Sequence, residues 1–111
     1  MKHVRAIVLV ILLGLLVATT ASVAFAATKS VGVKHAGTKY HFTPAGLTVK
    51  KGDTVKWSWS GSVPHNVKGA GFTSKTATKL AYSHKFTKTG RFTVICTIHQ
   101  SLGQKMTVTV R

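Results

Sequence analysis

Apolar and polar residues alternate along most of the chain after residue 27, a pattern typical of strands with one buried face. The clearest stripe is Val55, Trp57 and Trp59, and Gly- or Pro-containing turns separate it from similar stripes. No stretch of this region shows helical periodicity. The pattern therefore predicts seven or eight strands, ending with Lys105 to Val110, while the interval from Lys68 to Lys79 stays unassigned. One open sheet would leave an apolar face in water, so two sheets packed as a β-sandwich are expected.

The first 26 residues have the pattern of an export signal. Lys2, His3 and Arg5 precede an apolar run, and Ala24-Phe25-Ala26 then supplies small residues at the positions that signal peptidase requires. We expect cleavage after Ala26, which leaves one domain over 27–111. The alternative is a retained anchor, because residues 6–27 carry no charge and could span a bilayer as a helix.

The charge of the chain is strongly one-sided. Its 111 residues contain 16 Lys and Arg but a single acidic residue, Asp53, which gives a formal net charge of +15. One carboxylate excludes paired-carboxylate glycosidase or protease chemistry and a calcium cage. The hydrophobic content of 44% separates the chain from disordered basic tails.

Three potential metal ligands occur near predicted strand ends. Cys96 is the only cysteine, so it cannot form a disulfide within the chain. His99 follows it by three residues, which lets both side chains reach one ion, and His65 must then come from a neighbouring strand end. Two imidazoles and one thiolate form the trigonal set that suits copper in electron-transfer sites, with zinc as the competing ion.

The chain resembles the cupredoxins, the small blue (type 1) copper proteins, and above all the amicyanin, pseudoazurin and plastocyanin group. The resemblance rests on an ordered series of motifs: Tyr40-His41-Phe42-Thr43-Pro44, Leu47 to Trp57, Pro64-His65-Asn66-Val67, Ala81-Tyr82-Ser83, Phe86-Thr87, Gly90, Cys96-Thr97-Ile98-His99 and Thr107 to Val110. It implies a Greek-key β-sandwich with one copper ion on His65, Cys96 and His99. It also implies that Asn66 ties the two ligand loops together.

The axial position departs from the family pattern. Amicyanin-like loops place a methionine where this chain has Leu102, and plastocyanin-like loops place it where this chain has Gln104. We expect Leu102 to occupy the axial site without a bond, with Met106 as the alternative ligand if the loop is rearranged. A non-bonding Leu102 predicts a high reduction potential, which Leu102→Met should lower.

The resemblance implies a carrier of single electrons rather than an enzyme, with Cys96 as the inward path and His99 exposing its ring edge as the electron port. The alternative is an exported copper-binding or copper-delivery protein without a redox role. A metal-free sandwich would have no reason to place these three residues together, and nucleophilic catalysis by Cys96 lacks a clear orienting group.

Export and charge together define the expected partners. Nucleic acid is not expected, because no stacking platform or groove-reading helix accompanies the lysines. We expect a monomer in the periplasm or at the cell surface. Its cations would attract acidic redox proteins and anionic lipid or cell-wall polymer over roughly a Debye length.

Overall fold

The computed structural model describes residues 25–111, so all of the predicted leader except Phe25 and Ala26 lies outside the described residues. Within this part the chain forms nine strands and one short 3-10 turn at Gln100–Leu102. The strands are β1 (Thr28–Ala36), β2 (Lys39–Thr43), β3 (Gly46–Val49), β4 (Thr54–His65), β5 (Lys68–Gly69), β6 (Phe72–Thr73), β7 (Ala77–Lys85), β8 (Gly90–Ile95) and β9 (Lys105–Val110).

The strands form two mixed sheets. One has the order β2-β1-β4-β7 and the other the order β3-β9-β8-β5-β6. Most neighbours are antiparallel, but β1 runs parallel to β4 and β3 runs parallel to β9. This confirms the all-β sandwich that the sequence predicts. Among residues 25–111, no helix has the length and apolar character needed to cross a membrane.

The core consists of the apolar faces of both sheets. Val55, Trp57 and Trp59 of β4 are buried, as their period predicts, and so are Met106, Val108 and Val110 of β9. Trp57 links the two sheets, because its Nε1 donates a hydrogen bond to Met106 Sδ at 3.3 Å. Met106 is therefore a core residue of β9.

Two segments differ from the sequence-based expectation. The unassigned interval from Lys68 to Lys79 contains the two-residue strands β5 and β6 and the start of β7. Strand β4 continues through Val63 and Pro64, although a proline is more typical of a turn, and its register with β7 shifts between Ser60 and His65. Proline can lie in such an irregular stretch because no backbone N–H is needed there to bond to the neighbouring strand.

The topology brings three chain segments to one end of the sandwich. Strand β4 ends at His65, and β8 ends at Ile95 directly before Cys96. Because β9 is antiparallel to β8, its first residue lies beside the last residue of β8, as the pairing of Ile95 with Lys105 shows. The predicted metal ligands thus come from both sheets but lie at the same edge.

Candidate metal centre

The structure brings the three predicted ligands together. The potential ligand atoms of His65, Cys96 and His99 all lie within 4.8 Å of one another, and all three residues are buried. Cys96 Sγ lies 3.6 Å from His99 Nδ1. One ion can therefore reach a thiolate and two imidazoles in a site shielded from water.

Backbone hydrogen bonds hold the ligand loop between β8 and β9. The Cys96 N–H donates to the Gln104 carbonyl at 3.1 Å, which closes the loop at its base. The His99 carbonyl accepts from the N–H groups of Leu102 at 3.0 Å and Gln104 at 3.2 Å. Gly103 ends the turn with φ 91°, a conformation that side-chain-bearing residues rarely adopt. These backbone hydrogen bonds and the turn at Gly103 thus define the shape of the loop.

Gln104 completes the site as a fourth polar side chain. Its Oε1 lies 3.0 Å from His65 Nδ1 and 3.2 Å from His99 Nδ1, and the residue is fully buried. Its Nε2 donates to the carbonyl oxygens of Lys34 on β1 and His41 on β2, at 3.1 and 3.2 Å. Because both amide hydrogens have acceptors there, the oxygen must face the two imidazoles.

Leu102 and Met106, the two axial candidates from the sequence, lie elsewhere than Gln104, and the identity of the axial residue stays a prediction. Leu102 lies on the 3-10 turn with 52% of its surface exposed, and Met106 accepts the hydrogen bond of Trp57 in the core. A sequence signal for Gln104 did exist. It has the same period-two phase as Met106, Val108 and Val110, so it points inward, and it stands five residues after His99.

Asn66 connects the two segments that carry the ligands. Its Oδ1 accepts from the Thr97 N–H at 2.8 Å, and its Nδ2 donates to Thr97 Oγ1 at 2.7 Å and Thr76 Oγ1 at 3.0 Å. Thr97 follows Cys96, and Asn66 follows His65. The hydrogen bonds between Asn66 and Thr97 therefore fix the position of His65 relative to Cys96.

Aromatic rings surround the imidazoles. Tyr40 of β2 stacks on His99, with ring centroids 4.0 Å apart and planes 18° apart, and His35 stacks on the other side of Tyr40 at 5.4 Å. His99 is consequently only 8% exposed. Tyr40 covers one face of the His99 ring, and the exposed ring edge expected for electron transfer stays a prediction.

The electrostatics favour a neutral imidazole at His65. Burial lowers the pKa of His65, the nearby His99 and His35 lower this pKa further, and the hydrogen bond with Gln104 opposes the shift. A neutral imidazole is the form that binds a metal. With one sulfur, two nitrogens and an amide oxygen, the donor set fits the trigonal copper arrangement with a weak axial donor.

The chain is similar to known proteins over most of its described length. Residues 27–111 match the family described as copper binding proteins, plastocyanin/azurin family. A plastocyanin from Scenedesmus fuscus is 32% identical over 84 residues, which cover 63% of this chain and 86% of that protein.

Solved structures show the same fold. A purple cupredoxin from Nitrosopumilus maritimus matches with a TM-score of 0.65 at 24% identity, over 75% of this chain and 99% of that chain. A methionine-to-glutamine mutant of amicyanin, solved with Cu(I), matches with a TM-score of 0.63 at 29% identity, over 76% of this chain and 82% of that chain. The sandwich expected from the motif resemblance is thus confirmed.

Proposed function

Because the chain belongs to the plastocyanin/azurin family of copper-binding proteins and carries a type 1 copper site, we propose that it is an exported carrier of single electrons. Copper supplies the one-electron couple when it is bound. The observation that supports this function best is the buried cluster of His65, Cys96 and His99 with the Gln104 oxygen directed at both imidazoles. A site held in this way by the protein needs little rearrangement between two oxidation states.

We assign His65, Cys96 and His99 as the equatorial ligands. Cys96 would hold copper as the thiolate at the end of β8, and both histidines would hold it through Nδ1, the ring atom that faces the cluster. Asn66 holds the two ligand segments in register through Thr97. Such bonds around the ligands preserve ligand orientation during electron transfer.

Gln104 is assigned as the axial donor. An amide oxygen is a harder donor than a thioether, so it stabilises Cu(II) relative to Cu(I) and lowers the reduction potential. The proposed site is therefore a low-potential centre, the opposite of what a non-bonding Leu102 would give. Lys34 and His41 contribute through their carbonyl oxygens, which keep the carboxamide correctly oriented.

In this proposal, the exposed cations determine which partners the protein attracts. After cleavage behind Ala26, residues 27–111 would contain 14 Lys and Arg against Asp53, spread over the surface of a monomer. Acidic redox proteins are attracted to such a surface, as are anionic lipids and cell-wall polymers. A location in the periplasm or at the cell surface is consistent with the proposed export and with the positive charge.

The test is spectroscopic and electrochemical. The processed protein, loaded with Cu(II), should show an intense thiolate-to-copper absorption band, the EPR spectrum of a type 1 site and a reversible one-electron wave. Cys96→Ser should lose the band while keeping the fold. A colourless product with normal copper hyperfine splitting would contradict the blue-copper assignment.

Copper delivery uses the same ligands but has a different outcome. A delivery protein would release Cu(I) rapidly to a competing Cu(I) chelator, whereas an electron carrier should retain it through many oxidation and reduction cycles. Fast loss of Cu(I) without a reversible wave would favour delivery over electron transfer.

A further inference from the structure

Asp53, the single acidic residue of the sequence, lies at the end of the sandwich opposite the metal centre. It directly precedes β4, whose far end carries His65. The residue is only 5% exposed, and both carboxylate oxygens accept backbone hydrogen bonds. Oδ1 accepts from the Ala27 N–H and Oδ2 from the Lys50 N–H, each at 2.9 Å.

The backbone around Ala27 is fixed to β4. The Ala27 carbonyl accepts from the Thr54 N–H at 2.9 Å, and Thr28 starts β1 by pairing with Thr54. The residues just before Ala27 pack differently, because Phe25 is 87% exposed despite its large apolar ring. Among residues 25–111, the hydrogen bonds that join the start of the chain to β4 and Asp53 thus begin at Ala27, the residue that follows the expected cleavage point.

We propose that Asp53 binds the α-ammonium group that leader removal creates on Ala27. A leader-removing peptidase uses water to hydrolyse the Ala26–Ala27 peptide bond, so that the new carboxylate stays on Ala26 and the new amine is protonated on Ala27. The hydrogen bond between the Ala27 amide and Asp53 then becomes an ion pair. Processing would in this way strengthen the attachment of β1 to the fold.

Asp53 is the one acidic side chain of the sequence, and cationic side chains surround it. Lys29 on β1, Lys50 before β4 and Arg111 at the end of the chain line the same surface cavity as Asp53 and Ala27. An additional ammonium among these cations would be repelled unless it lay directly against a carboxylate. The carboxylate is ionised near neutral pH, because the N–H groups of Ala27 and Lys50 lower the pKa of Asp53.

A purely local role for Asp53 predicts a different result. The bond from Lys50 N to Asp53 closes a turn of the kind that aspartate often forms, and this turn needs no charge on Ala27. The two roles are distinguished by the α-amino group. Its pKa is ordinarily about 7.7 to 8.0, and an adjacent carboxylate raises it.

The experiment compares the exported, processed protein with a form that begins at Phe25, which moves the ammonium two residues away from Asp53. N-terminal sequencing of the processed protein should first give Ala27. NMR titration of labelled Ala27 should then show an α-amino pKa above the ordinary range, and Asp53→Asn should return it to that range.

Thermal stability gives a second measurement that does not depend on a substitution of Asp53. The ion pair contributes below the ordinary α-amino pKa and is lost as pH rises through the raised value. The processed form should therefore have a higher melting temperature than the Phe25 form near pH 7, and this difference should shrink towards pH 10. An N-terminus other than Ala27, an α-amino pKa of 8.0 or less, or equal melting temperatures at pH 7 would overturn the proposal. None of these outcomes bears on the copper spectrum, so the proposed function is tested separately.

Discussion

The side-chain amide of Gln104 contacts the backbone with its nitrogen and the histidine rings with its oxygen. Its nitrogen donates to backbone carbonyls of β1 and β2, while its oxygen faces the imidazoles of His65 and His99. The residue is inward-facing by strand period, so its burial could be predicted from the sequence. The direction in which its amide points could not, because this depends on carbonyls that lie 63 and 70 residues away in the chain.

Substitution of Gln104 should change the reduction potential in a defined order. Gln104→Met should raise it and Gln104→Leu should raise it further, because each change removes a donor that favours Cu(II). We expect a rise of about 59 mV or more for Gln104→Leu, which corresponds to a tenfold change in relative affinity for a one-electron couple. Protein-film voltammetry measures this shift.

Leu102→Met is the matched control for the Gln104 series. Leu102 is half exposed on the 3-10 turn, so a methionine there should leave the potential nearly unchanged. A clear fall in the potential of Leu102→Met, together with an unaltered potential in Gln104→Leu, would restore Leu102 to the axial position.

Tyr40 should contribute to stability through its stack on His99. Tyr40→Leu removes a ring pair 4.0 Å apart, and such pairs contribute about 1 kcal/mol beyond the area that they bury. Denaturant unfolding should show this loss, whereas Tyr40→Phe should retain most of the stability. Equal losses in both variants would mean that the hydroxyl matters more than the stacked ring.

His84 should make stability depend on pH below neutrality. It is half-buried and stacked on Phe72, and burial lowers its pKa. The unfolded chain therefore binds a proton near pH 6.5, while the folded chain binds it only at lower pH. The free energy of unfolding should fall as pH drops below about 6.5, and this fall should be smaller in His84→Phe. Identical pH profiles for the two proteins would contradict the effect.

At the scale of elements, the site depends on the junction between the end of β4 and the loop after β8. Period-two alternation predicts β8, β9 and the part of β4 up to Trp59 well, because buried and more exposed residues alternate there. It cannot predict β5 and β6, since two residues are too few to show a period. It also fails at Pro64, where an extended backbone without regular pairing resembles a turn in sequence.

Asn66→Ala should loosen this junction. The change removes the acceptor of the Thr97 N–H and two side-chain hydrogen bonds, and a typical hydrogen bond contributes about 0.5 to 1.5 kcal/mol to stability. Copper affinity should fall roughly 10- to 100-fold, the usual effect of losing a residue that orients ligands. Competition with a copper chelator measures the affinity.

Thr76→Val serves as the matched control for Asn66→Ala. It removes only the 3.0 Å bond from Asn66 Nδ2 and keeps both bonds between Asn66 and Thr97. Its copper affinity should stay close to that of the wild type. If both variants lose affinity equally, the link to Thr97 is not what positions the ligands.

At the scale of the whole molecule, the net positive charge should control association with electron-transfer partners. Screening shortens the range of attraction to about 10 Å at 0.1 M ionic strength. The rate of electron transfer with an anionic iron complex should therefore fall as salt increases, and the rate with a cationic cobalt complex should rise. Stopped-flow kinetics at several ionic strengths tests this, and salt-independent rates with both complexes would exclude electrostatic steering.

The twelve-residue strand β4 has a practical consequence for how the protein is attached to a surface. It separates Asp53 and the start of the fold from His65 by roughly 35 Å at the usual rise per residue. Immobilisation on an electrode through the N-terminus would hold the redox centre at the distal end of the molecule, where direct tunnelling to the metal surface is slow. Attachment near the exposed side chain of Leu102 would instead bring the centre close to the electrode. The point of attachment would therefore decide whether electron transfer between the protein and the electrode is slow or fast.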